Sequence, residues 1–139
     1  MDLGTRLVAA AADLVDSRFL GRDWAGAAAM ALDDGTLLTS TAPEVVNPAV
    51  ELCHEVGALC EAYRIGRPVV ASASVLRADQ GRGFWVLSPC GVCQERLRFY
   101  GPGVEVAVPE ANDPALWRMV TLGELQPHWW ATVFDGEPM

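Results

Sequence analysis

Apolar residues recur at helical spacing along the first segment of the chain, at Leu3, Leu7, Ala10, Ala11, Leu14 and Val15, which predicts an amphipathic helix over Leu3–Phe19. Gly21-Arg22-Asp23 reads as a loop. Trp24–Leu32 reads as a strand despite its alanines, which are poor intrinsic strand formers. Asp33-Asp34-Gly35 then turns the chain into a returning strand at Thr36–Thr39. Pro43 and Pro48 punctuate an irregular loop, Ala42–Pro48. A second helix is expected from Val50 to Arg64, with Leu52, Val56, Leu59, Cys60 and Tyr63 on or near one face. Val69–Leu76 is a nearly continuous apolar run and reads as a central strand. Gln80–Gly83 turns into a further strand at Phe84–Leu87. A third helix is expected from Cys90 through Phe99, a fifth strand at Val104–Val108, and a short helix at Thr121–Leu125, before the aromatic run His128-Trp129-Trp130. Strands alternating with helices predict an α/β fold, a three-layer α/β/α sandwich. The expected organisation is one domain over 1–134, followed by a frayed Pro/Gly/acidic tail, Asp135–Met139.

Composition narrows the function classes. The 139 residues are 51% apolar, enough for a real core in one domain. No run approaches the roughly 20 uncharged apolar residues that span a bilayer. The Ala-rich start at Leu7–Val15 is interrupted by Asp13, closely followed by Asp16, and lacks a basic leader. It is not expected to be a signal peptide, and a cytoplasmic protein is expected. Four cysteines in a reducing compartment read as ligands or buried thiols before disulfides. The formal net charge is −8; there is no lysine, and the ten arginines are scattered. Such a surface repels phosphate backbones, so neither nucleic acid nor a membrane is an expected partner, and a small neutral or cationic substrate is.

Two cysteine clusters carry the chemistry: Cys53-His54-Glu55, and Pro89-Cys90-Gly91-Val92-Cys93. Together they offer three thiolates for one Zn²⁺ and a carboxylate, Glu55, that need not be a ligand. A Cys (or His)-x-Glu followed by Pro-Cys-x-x-Cys is the signature of zinc-dependent base deaminases. Both clusters are expected in the first turns of helices, where unpaired N–H groups and the helix dipole favour thiolates. Cys90 and Cys93, three apart on a helix, project to one side. Three sulfur ligands leave one tetrahedral position open, which separates a catalytic zinc from a closed structural one. The alternative is a structural zinc closed by His54 or Cys60. Cys60, two turns beyond Cys53, reads as a buried thiol rather than a ligand.

Ser88-Pro89-Cys90-Gly91-Val92-Cys93, Gly26-Ala27-Ala28-Ala29 with Asp34-Gly35, and Leu122-Gly123-Glu124-Leu125-Gln126-Pro127 together resemble the small cytidine deaminase family, which includes blasticidin S deaminase. The resemblance runs from Trp24 to Trp130. It implies a five-stranded mixed sheet, one zinc per subunit on Cys53, Cys90 and Cys93, and Glu55 as the catalytic proton carrier. It also implies a homotetramer, with a homodimer as the alternative, and active sites near subunit interfaces. Substrate contacts are implied at Trp24, Ala42, Glu44, His54, Ser88, Pro89 and Trp129. Packing stands as the alternative role for Trp24, Trp129 and Trp130; for His54, which adjoins the ligand Cys53, supporting the metal ligands and packing both stand beside substrate contact.

The chain departs from the family pattern at several positions. His54 stands where the family has Ala. Ala42 replaces the Asn of the sugar-gripping Asn-x-Glu, while Glu44 is kept. Val56 stands where an Arg often follows the Glu, and Gln94-Glu95 replaces Arg-Gln. Arg96 or backbone N–H groups are therefore expected to offset the third thiolate. The expected activity is hydrolytic deamination of a cytosine nucleoside or an analogue, either cytidine/deoxycytidine or a blasticidin-like aminoacyl nucleoside. The departures and the acidic surface lean toward the altered substrate. Deamination of a free purine or triazine, and a zinc-stabilised protein without catalysis, are the alternatives.

Overall fold

The computed structural model describes residues 1–79 and 83–134, so the expected turn at Gln80–Gly83 and the tail Asp135–Met139 fall largely or wholly outside the described residues. Helix α1 (Leu3–Arg18) starts at Asp2, whose carboxylate accepts a 2.8 Å hydrogen bond from the Thr5 N–H. Its buried Leu7, Ala11 and Val15 recur every four residues and form the stripe that meets the sheet. Strand β1 (Ala25–Leu32) is buried at every position, although alanine favours neither strand nor sheet packing. Burial on both faces overrides propensity here. Ala25, Ala27, Ala29 and Ala31 form a shallow floor under α1, while Met30 and Leu32 face the opposite layer.

β1 pairs antiparallel with β2 (Leu37–Ser40) on one side and with β3 (Val69–Arg77) on the other. β3 in turn runs parallel to β5 (Glu105–Glu110) at Ala71 and Ser72, and antiparallel to the short β4 (Trp85–Leu87) further along. β6 (Asp113–Thr121) closes the sheet against β5. The order is β2-β1-β3-β5-β6 with β4 beside β3, so the described residues form a mixed sheet of six strands rather than the expected five. β6 escapes a reading of local pattern because it is an edge strand. Pro114 and Arg118 interrupt its apolar pattern, which an edge strand tolerates readily.

Three further helices cover the second face: α2 (Val56–Ile65), α3 (Gly91–Leu97) and α4 (Leu122–Leu125). Ala58, Ala62, Leu97 and Leu122 pack there on Met30, Leu32, Val69 and Val106. The three-layer expectation therefore holds. α2 starts six residues later than expected. Pro48–Val50 forms its own 3-10 turn, capped by the Asn47 side chain, and the chain stays non-helical until Glu55. Leu52 is consequently exposed instead of lying on the helix face. α2 ends at Gly66, whose φ of 82° is the left-handed cap that glycine adopts at little cost. Among the described residues no helix is long and apolar enough to cross a membrane.

Candidate active site

The sheet brings the two cysteine clusters together by placing α2 and α3 on one face. Cys90 is the N-cap of α3: its sulfur accepts a 3.5 Å contact from the Cys93 N–H, and its carbonyl accepts from the Gln94 N–H at 2.8 Å. The Gln94 amide also donates to the Pro89 carbonyl at 2.8 Å, bracing the turn that delivers Cys90. Cys53 lies just before α2, not inside it, in a turn closed by the Val56 N–H on the Cys53 carbonyl. Glu55 is the α2 N-cap residue, but its carboxylate makes no capping hydrogen bond. It points inward instead, 5% exposed, with Oε2 3.5 Å from Cys93 Sγ.

Cys53 Sγ and Cys90 Sγ are 3.3 Å apart, and the three sulfurs of Cys53, Cys90 and Cys93 all lie within 4.8 Å of one another. Burial pushes the Cys93 thiol far above its ordinary value, and the Glu55 charge adds to this. Burial also raises Cys53, reinforced by its bond with Cys90. Burial acts on Cys90 in the same direction, but the Cys93 N–H and the neighbouring thiol more than offset it, so Cys90 is lowered. Three sulfurs and a buried carboxylate thus converge with little countercharge, an arrangement that a divalent cation resolves. Three soft thiolates without a fourth protein sulfur suit Zn²⁺ with one position left open.

No protein-family model matches the chain, and no curated protein sequence matches it either. Among solved structures, the cytidine deaminase from Bacillus anthracis is 39% identical over 96% of this chain and 94% of its own, with a TM-score of 0.88. The chain belongs to the cytidine deaminase family. The cytidine deaminase from Mycobacterium tuberculosis is 27% identical, covering 94% and 98% of the two chains at a TM-score of 0.68. That from Mycobacterium leprae, 23% identical with coverages of 92% and 100% and a TM-score of 0.69, shows the shared fold. Cytidine deaminases are zinc-dependent hydrolases of carbon–nitrogen bonds, and the Cys53, Cys90 and Cys93 group can bind that zinc.

The positions where this member departs from the family pattern have definite surroundings. Arg96, one turn along α3, places Nη1 3.9 Å from Cys93 Sγ, and a backbone N–H reaches Cys90, so both expected sources of positive charge are in place. The His54 ring turns toward the sheet, against Gly26 and Ser74. Glu44 is exposed and ion-paired with Arg22, a residue that sequence spacing gave no reason to single out. Ala42 is half-buried, Ser88 is exposed and Pro89 is buried. Trp24 lies just before β1, not within it. It is 68% exposed and holds a left-handed φ of 56°, a strained conformation for a bulky residue. Its ring meets Trp85 edge-to-face, with centroids 6.4 Å apart. Cys60 is exposed, not buried as expected, because its part of α2 faces away from the sheet.

Trp129 docks on α3 of its own chain. Its indole N–H donates to Glu95 Oε2 and that of Trp130 to Glu95 Oε1, each at 2.8 Å, while the Arg98 guanidinium lies 4.3 Å over the Trp129 ring. The two indole bonds hold the Glu95 carboxyl below its ordinary value. Its folded-state value lies under that of the unfolded chain, so this anchoring is complete above the usual carboxylate range. It is lost as pH falls through the folded value. Acid titration followed by near-UV circular dichroism should report loss of the Trp129–Trp130 signal in that range, and Glu95→Gln should shift or abolish the step. A titration identical in Glu95→Gln would sink the assignment.

Proposed function

We propose that this protein hydrolytically deaminates a cytosine nucleoside or a close analogue, with Cys53, Cys90 and Cys93 holding Zn²⁺ and Glu55 moving the protons. The observation that carries the reading is the buried Glu55 carboxylate, released from helix capping and set against the thiol group. Bound there, Zn²⁺ acts as a Lewis acid that makes water acidic near neutral pH. Glu55 takes a proton from the attacking water and delivers protons to the ring nitrogen and the departing amine. The water oxygen bonds to the amino-bearing carbon, the carbon–nitrogen bond breaks, and ammonia leaves behind a carbonyl. Glu55 ends the cycle as it began.

Trp24, held exposed in a strained backbone beside Trp85, is the proposed stacking surface for the base. Ser88 and Pro89 are proposed to line the same site next to Cys90. The resemblance to cytidine deaminases favours cytidine or deoxycytidine as substrate. A second reading, an altered sugar or aminoacyl substituent as in blasticidin S, is favoured by Ala42 and by the Arg22–Glu44 pair, which occupies the carboxylate expected to grip the sugar. We further propose self-association, to a homotetramer or a homodimer. Supporting it is an apolar groove of about 350 Å³ lined by Leu59, Tyr63, Phe99 and Tyr100, with Tyr63 and Phe99 more than 70% exposed. Four free cysteines, three of them needed as thiolates, support a reducing, cytoplasmic setting.

Ammonia release from cytidine, deoxycytidine, cytosine, blasticidin S, guanine and amino-triazines by the zinc-loaded protein tests the proposal. Turnover of cytidine or deoxycytidine is the expected result. Turnover confined to blasticidin S would select the second reading. Activity only on a free purine or triazine, or zinc binding with silence throughout, would overturn both.

A further inference from the structure

Three strands present a row of small side chains to the start of α2. Ser40 of β2, Ala28 of β1 and Ser74 of β3 are lateral neighbours in register, with Gly26 two residues from Ala28 on the same face of β1. His54 sits on this row. The Ser40 hydroxyl donates to the His54 carbonyl at 2.5 Å, and the Ser74 hydroxyl is 3.5 Å from His54 Nδ1. Gly26 provides the space for the ring: a methyl group there would fall 2.8 Å from Nε2 and 2.9 Å from Nδ1. Gly57 gives the same clearance on the other side of the turn, where a methyl group would meet Ser40 Cβ at 2.8 Å. The backbone and ring of one residue are therefore both seated on the sheet, and that residue stands between Cys53 and Glu55.

We infer that His54 is a positioning residue matched to Gly26, whose seating on the sheet aims Cys53 and Glu55 at Cys90 and Cys93. The inference rests on the proposed zinc-holding role of the three thiols. It accounts for how a bulky side chain is accommodated at position 54: Gly26, which the chain shares with the family pattern, lies inside a fully buried strand and leaves the space that the ring fills. Size at position 54 and emptiness at position 26 form one device. Groups that orient metal ligands without touching the metal typically change affinity by about 10- to 100-fold when lost.

The test uses zinc affinity, measured by competition with a chromophoric chelator well below the melting temperature, for Gly26→Ala, His54→Ala and the double variant. Gly26→Ala pushes the ring off its seat, and His54→Ala leaves the turn without it. Each is expected to weaken zinc binding about tenfold. The double variant has no ring to displace, so it should lose about tenfold rather than the about hundredfold of two independent defects. His54→Ala removes atoms and adds none, so it stays informative if Gly26→Ala does not fold. A residue with a packing role alone would lower the melting temperature in each variant with zinc affinity unchanged. That outcome, or losses that multiply in the double variant, would overturn the inference. Failure of the wild-type protein to bind zinc would instead count against the zinc reading itself.

Discussion

Glu55→Gln is expected to lower turnover by about 10²–10⁴-fold while the protein keeps one zinc per chain and its melting temperature. Such a loss corresponds to roughly 3–5 kcal/mol of transition-state stabilisation. Glutamine has nearly the same shape as glutamate but cannot accept the proton that water must give up. The substitution is clean for structural reasons. Glu55 occupies the α2 N-cap position without capping the helix, so no backbone N–H loses a partner. Its carboxylate faces Cys93 in the interior, where a neutral amide removes repulsion from the thiolate instead of adding it. Ammonia release and metal content measured on the same preparation check the result. Turnover within a few-fold of wild type would remove Glu55 from the chemistry, and loss of the metal would make it a ligand instead of a proton carrier.

The parts of this molecule legible in its sequence are those written in adjacent residues. Leu7, Ala11 and Val15 spell α1 through their spacing, and Asp33-Asp34-Gly35 marks the hairpin even though alanine-rich β1 is weak strand material. The cysteine clusters are legible because metal chemistry demands particular residues at short, fixed separations. Features set by contacts across the fold were not. α2 begins at Val56 and not Val50 because the Pro48 turn and the seating of His54 compete with helix formation, and neither appears in an apolar pattern. β6 hides behind edge-strand residues. The Glu95 bond to two indoles joins residues more than thirty positions apart, and the exposure of Cys60 follows from which face of α2 the sheet takes. In the sequence Gly26 shows only as part of a family-like segment, whereas the space it leaves for His54 belongs to tertiary packing.

Stripping the metal should both abolish turnover and destabilise the fold. A ligand bound only by the folded state stabilises it by about 4 kcal/mol at a thousandfold excess over its dissociation constant. For a chain of this size that amounts to a fall in melting temperature on the order of 10 °C. The effect should be concentrated at the junction of α2 and α3, where Cys53 and Cys90 lie 3.3 Å apart and Glu55 is buried beside Cys93. Without the ion, the charges gathered there are met, among the described residues, by Arg96 and backbone N–H groups. Cys93→Ser should reproduce the effect of chelation, because Cys93 is the buried member of the group and contacts the carboxylate. Cys60→Ser should not, because that thiol is exposed and stands outside the cluster. Differential scanning fluorimetry with and without a chelator, together with turnover before and after zinc is returned, distinguishes these cases. If the metal-free protein melts where the loaded one does and retains its activity, the three thiols do not form the working centre. If Cys60→Ser loses the metal while Cys93→Ser keeps it, the ligand set is wrong.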